Sequence, residues 1–107
     1  MVQQITAQAL KSKLDQGNGE FILLDVREPY EHQICQIEGS LLLPMKQVPP
    51  ALNTFDREQE IVVICHHGMR SMQVAEFLQQ NQFSQVTNLQ GGIDVWALMV
   101  DSSMQRY

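Results

Sequence analysis

The run Ile61-Val62-Val63-Ile64 is β-branched throughout, and Phe21-Ile22-Leu23-Leu24 upstream is equally free of polar residues. Successive side chains of a strand point to opposite faces of its sheet, so a wholly apolar strand must be covered on both sides. Such covering comes from helices packed on a parallel sheet. The first run is bounded by Gly17-Asn18-Gly19 before it and Asp25 after it; the second is preceded by charged residues. Weaker strand candidates lie over residues 40–43, stopped by Pro44, and over residues 85–88.

Helical pattern fills the intervals. Thr6 is placed to cap a helix through Leu10 and Leu14 that the Gly17-Asn18-Gly19 cluster ends. From Ser71 onward, Met72, Val74, Ala75, Phe77 and Leu78 recur at helical spacing and mark a core face; Trp96 reads as core as well. Gly91-Gly92 interrupts the chain before a helix over residues 93–100, with Asp94 in its positive first turn. Pro49 and Pro50 open a short helix through Leu52. Strands alternating with helices predict an α/β fold with a mostly parallel sheet and right-handed crossovers. At 107 residues, positions 1–107 are expected to form one domain around one core.

Charge and composition exclude several functions. The net charge of −5, with Lys and Arg scattered singly, argues against a nucleic-acid surface. No apolar run approaches the ~20 residues that span a membrane, and the N-terminal MVQQITAQAL lacks the basic head and apolar stretch of a signal peptide. Cys35 and Cys65 form no CxxC pair and no disulfide framework. These features read as a soluble cytoplasmic protein with reduced thiols. No apolar stripe demands a partner chain.

The apolar run 61–64 ends on Cys65, followed by His66, His67, Gly68, Met69, Arg70 and Ser71. Ligands of open α/β sheets sit beyond the carboxyl ends of strands, where a loop enters a helix. A helix starting near Arg70 or Ser71 would direct free N–H groups and its positive end toward that loop, favouring an anion. A free thiol titrates near pH ~8.5, and helix N-termini and cations lower that into the ~3.5–7.5 range. Arg70 adds fixed charge, and Gly68 allows successive N–H groups to form a nest. Cys65 therefore reads as a nucleophile rather than a small core residue. A zinc site from Cys65, His66 and His67 is disfavoured, because adjacent loop residues do not converge on one ion and no second ligand pair exists.

Three segments resemble rhodanese-type sulfurtransferases. They are Asp25-Val26-Arg27-Glu28-Pro29-Tyr30-Glu31-His32 with Ile37-Glu38-Gly39-Ser40 and Leu43-Pro44; the Cys65–Ser71 loop, matching C-x-x-G-x-R-S; and Asn88-Leu89-Gln90-Gly91-Gly92-Ile93-Asp94-Val95-Trp96. Ser40 stands where alanine is commoner, and Cys35-Gln36 where a glycine-histidine pair is common. The resemblance implies a five-stranded parallel sheet with helices on both faces. It also implies sulfur transfer through a Cys65 persulfide held by loop N–H groups, with no cofactor. The implied partners are a small sulfur donor, thiosulfate or a persulfide (a protein persulfide among them), and a thiol or cyanide acceptor.

Catalysis is expected of Cys65 and Arg70, and substrate contact of His66, His67, Gly68, Met69, Ser71 and Arg27. Arg27 is also a candidate for a structural ion pair with Glu28 or Glu31. His66 and His67 are open to two readings, a donor to substrate or a solvent-facing residue. The Cys-x5-Arg phosphatase loop is similar, but its arginine position is Ser71 here, and Arg70 falls one residue short. A non-enzymatic module that binds a partner or senses redox state through Cys65 is the competing class. Residues 101–107 show no pattern and read as a fraying tail.

Overall fold

The computed structural model describes residues 2–17 and 20–107. Asn18 and Gly19, expected to help close the first helix, lie outside the described residues. The chain runs β1 (Gln3–Ile5), α1 (Ala7–Gln16), β2 (Phe21–Asp25), α2 (Pro29–Ile34), β3 (Leu41–Leu42), α3 (Val48–Ala51), β4 (Glu60–Ile64), α4 (Met69–Gln80), β5 (Val86–Leu89) and α5 (Gly92–Met99). Single 3-10 turns, Met45–Gln47 and Leu52–Thr54, flank α3. The strands form one five-stranded sheet in the order β1-β5-β4-β2-β3, and every neighbouring pair is parallel.

The apolar runs do what their alternation requires. Ile61 and Val63 of β4, with Leu24 of β2, face Val74, Ala75 and Leu78 of α4 and Val48 of α3. Val62 and Ile64, with Leu23, face Ala7 and Leu10 of α1 and Ile93 and Trp96 of α5. Helices thus cover both faces, and the central strands β4 and β2 are sealed between two cores. Thr6 caps α1, its hydroxyl accepting from Ala9 N at 3.1 Å, and Gly17 closes that helix in the left-handed conformation.

Two elements lack the expected sequence signals. β1 carries one apolar residue, Ile5, which packs on the core, and it pairs with β5 at the sheet edge. α2 is too short to show a period; Pro29 opens it, and the Glu31 carboxylate accepts from Glu28 N at 2.9 Å. The structure also shortens β3 to Leu41–Leu42, moves β5 one residue onward, and starts α4 at Met69 rather than Ser71. The last shift places Met69 and Arg70 within the first helical turn. No helix among the described residues is long and apolar enough to cross a membrane.

The sheet order leaves the carboxyl ends of β4, β2 and β5 side by side. Leu24 is fully buried between these layers, so Leu24→Ala is expected to destabilise the fold by about 2–5 kcal/mol. Thr6→Ala, which removes one helix cap, is expected to cost about 1 kcal/mol. Urea unfolding of the two variants checks the order.

Candidate active site

Cys65 is the first residue beyond β4, and its 1% exposure places the sulfur inside the protein. Gly68 then turns the chain with φ +98°, which a side chain rarely adopts, and α4 begins at once. That turn brings Gly68 N to 3.1 Å and Ser71 N to 3.3 Å from Cys65 Sγ, both donating to it. The Ser71 hydroxyl lies 3.2 Å from the same sulfur. Ser71 Oγ also donates to Asn88 Oδ1 on β5, and Asn88 Nδ2 donates to Gly68 O at 3.2 Å and Gln4 Oε1 at 3.3 Å. The register makes this possible, because Asn88 pairs with Val63 on one side and Gln4 on the other.

The back of the loop rests on α5. Ile93 N donates to Cys65 O at 2.9 Å and Asp94 N donates to His66 O at 3.1 Å. Gly92 approaches so closely that a Cβ there would fall 2.6 Å from Cys65 O and nearer still to His66 O. The pair Gly91-Gly92, read from sequence as a helix break, is therefore a close backbone contact that anchors the loop.

Both arginines are paired. Arg70 forks onto Glu31, Nη1 to Oε2 and Nη2 to Oε1, each at 2.8 Å. The expected role of Arg70 as a free cation beside the thiol is thus modified by a carboxylate from α2. The Arg70 guanidinium is the main reason the Glu31 carboxyl is held down at about 2; the Glu28 N–H and the Tyr107 hydroxyl add to it, and burial opposes it. Arg27 has no exposed surface. Its guanidinium bonds Asp25 at 2.6–3.1 Å, not the side chain of Glu28 or Glu31, and reaches Glu31 O, Cys35 O and the Tyr107 hydroxyl. Burial works against its charge, but the hydrogen bonds to Asp25 and Tyr107 outweigh that and hold its pKa above the ordinary value. This geometry fits the structural ion pair rather than substrate contact, since its donors already have partners.

Residues 101–107 do not fray. Met104 joins the α1–α5 core, Arg106 pairs with Asp94 at 2.9 Å, and the Tyr107 ring stacks on His66 with centroids 3.8 Å apart. His66 stacks in turn on His67 at 3.9 Å. Burial and the neighbouring His67 lower the His66 pKa, and its buried Nε2 has no hydrogen-bond partner among the described residues. His67 is mostly exposed and 3.8 Å from Asp94. Potential ligand atoms of His66, His67 and Asp94 lie within 4.8 Å of one another. The two rings are stacked face to face in planes 20° apart, and Asp94 is engaged by Arg106, so the arrangement is a poor metal cage. Met69 is the most exposed loop residue, at 76%.

Sequence reasoning brought together Cys65, Gly68, Arg70 and Ser71, and it missed the partners that hold them. Asn88 had one signal, its place at the head of the third rhodanese-like segment. Glu31 stood in the first rhodanese-like segment and was offered to Arg27; its pairing with Arg70, 39 residues away, left no signal in the chain. A cleft of about 460 Å³ lined by Leu14, Ile37, Trp96 and Met104 lies on the α1–α5 side and includes none of these residues.

A buried cysteine receiving main-chain N–H groups at a strand–loop–helix junction defines a thiol-cradle domain on a parallel α/β sheet. Residues 6–99 match the Rhodanese-like domain family, and the chain belongs to it. It is 36% identical over 95 residues to the putative sulfurtransferase YtwF of Bacillus subtilis, covering 89% of this chain and 90% of that protein. It is 37% identical over 112 residues to the chloroplastic Rhodanese-like/PpiC domain-containing protein 12 of Arabidopsis thaliana, covering 99% of this chain but 38% of that protein. The crystal structure of a rhodanese-like domain protein from Staphylococcus aureus superposes with a TM-score of 0.83 at 29% identity, covering 99% of each chain.

Two outcomes follow. The Glu31 pKa is depressed on folding, so its stabilisation is present above the ordinary carboxyl value of 4.5 and is lost as pH falls toward about 2. Thermal unfolding between those pH values is expected to show a smaller loss for Glu31→Gln than for the wild type. Gly92→Ala places a side chain at positive φ against two carbonyls, and is expected to cost at least about 1 kcal/mol. It should also speed alkylation of Cys65, measured by mass spectrometry against wild type.

Proposed function

We propose that this protein is a sulfurtransferase that carries sulfane sulfur on Cys65. The observation that supports it best is the convergence of the Gly68 and Ser71 main-chain N–H groups on Cys65 Sγ. Donors aimed at one sulfur stabilise negative charge there. The sulfurtransferase name of the Bacillus relative supports the same chemistry.

In the first half-reaction the Cys65 thiolate attacks the outer sulfur of a donor. The donor's S–S bond breaks, its electron pair leaving with sulfite from thiosulfate or with a thiolate from a persulfide, and a Cys65 persulfide remains. In the second, a thiol acceptor (as thiolate) or cyanide attacks the terminal sulfur and departs as a persulfide or thiocyanate. The Cys65 thiolate is thereby restored, and no oxidant or cofactor is consumed. With 1% of Cys65 exposed, only an atom that enters the cradle reaches Sγ; a terminal sulfur does so end-on. The loop residues His66, His67, Met69 and Arg70 border that approach.

Charge narrows the donor. Arg70 is forked to Glu31 and Arg27 is paired with Asp25, while the whole chain carries −5. A doubly negative thiosulfate gains little here, so a protein persulfide or a less charged small persulfide is the preferred donor. Both Cys35 and Cys65 are free thiols, in keeping with a reduced cytoplasm as the place of action.

The rival is a non-catalytic module that binds a partner or senses redox state, and the burial of Cys65 favours it. Intact-protein mass spectrometry after incubation with thiosulfate, and separately with a persulfide donor, distinguishes the two. One added sulfur, removed by cyanide, retained in Cys35→Ser and absent in Cys65→Ser, is the expected result. Steep saturation by micromolar thiosulfate would overturn the donor preference, and no sulfur on Cys65 from either donor would favour the rival.

A further inference from the structure

Asn88 is buried to 1% exposure on β5 and takes part in no step described above. Its amide orientation is determined by its surroundings. Gly68 O, a main-chain carbonyl 3.2 Å away, can only accept, so the NH2 end faces it and the oxygen end faces Ser71. The Ser71 hydroxyl has one proton, and the short contact to Asn88 Oδ1 requires that proton to lie between the two oxygens. What Ser71 turns toward Cys65 Sγ, 3.2 Å away, is then a lone pair. A lone pair attracts an S–H and repels an ionised sulfur.

We propose that Asn88 is a positioning residue that governs the proton at Cys65 through Ser71. At rest the chain of donors runs from Cys65 S–H to Ser71 Oγ and from Ser71 O–H to Asn88 Oδ1. When the thiol proton leaves to a solvent base, the Ser71 hydroxyl rotates from Asn88 to the sulfur, and Asn88 Oδ1 gives up its donor. No covalent bond other than S–H changes. The competition between Asn88 and the sulfur for one proton keeps the resting residue a thiol, the form less open to oxidation. Asn88 also braces Gly68 by holding its carbonyl. This inference rests on Cys65 being the reactive thiol, but not on any sulfur donor.

The test is the pH profile of Cys65 alkylation by iodoacetamide, assigned to Cys65 by mass spectrometry and free of any transfer assay. Charged and titratable groups around the loop are the Arg70–Glu31 and Asp25–Arg27 pairs, His66, His67, Asp94 and Tyr107, all unchanged in every variant. Asn88→Ala frees the Ser71 hydroxyl to donate to ionised sulfur. The midpoint of the profile is expected to fall by about one pH unit, a tenfold change in the ionisation constant. In a Ser71→Ala background the same substitution is expected to move it little, because the shared proton is gone. Asn88→Leu, of similar volume, should repeat the Asn88→Ala result. An equal shift in both backgrounds, or no shift in a folded Asn88 variant, would overturn the proposal. So would failure of both Asn88 variants to fold where Ser71→Ala folds, since Asn88 would then serve the fold alone. Sulfur loading of Cys65 is scored separately, so a failed transfer reaction leaves the alkylation result readable.

Discussion

Gly92 lies against the carbonyls of Cys65 and His66 with no room for a side chain, and the first turn of α5 donates to those same carbonyls. Everything that faces the sulfur depends on this contact. With the backs of Cys65 and His66 pinned, the chain must turn at Gly68, and the turn leaves the N–H groups of Gly68 and Ser71 pointing inward. A loop free to relax would let water compete for those donors. Held between α5 behind and α4 in front, it presents them without reorganisation when charge arrives on sulfur.

The ion pairs around the loop follow a second constraint, that a buried or half-buried charge needs a partner. Arg27 is fully buried two residues beyond β2 and is neutralised by Asp25, the last residue of that strand. Arg70 leaves α4 and is met by Glu31 of α2, which also accepts the Tyr107 hydroxyl at 2.8 Å. Two arginines, two carboxylates and one phenol thus form a continuous polar layer across the carboxyl ends of β2 and β4. In that layer both guanidinium groups are already met by carboxylates.

Much of the architecture was legible because two strands carry it. Runs without polar residues can only be central and parallel, and both proved to be neighbours in the sheet. β1 and α2 were not legible for opposite reasons. β1 is held by main-chain pairing to β5, by Ile5 on the core and by Gln4 on Asn88, contacts that leave no periodicity, and α2 is shorter than two helical turns. Residues 101–107 misled in the same way: their anchors, Arg106 on Asp94 and Tyr107 on His66, reach across space and leave no periodicity in the chain.

The sequence by itself determined the strand–loop–helix that carries Cys65. A wholly apolar run, a glycine at the turn and helical spacing from Ser71 are local properties, and local sterics and burial translate them directly into structure. Only the tertiary structure decided what surrounds the sulfur. Glu31 meets Arg70, Asn88 meets Ser71 and Gly92 meets Cys65 because parallel strands with helical crossovers bring together residues 17–39 positions apart. Those meetings pair the charges at the site and surround the sulfur, and they arise from packing and register, which no short stretch of the chain encodes.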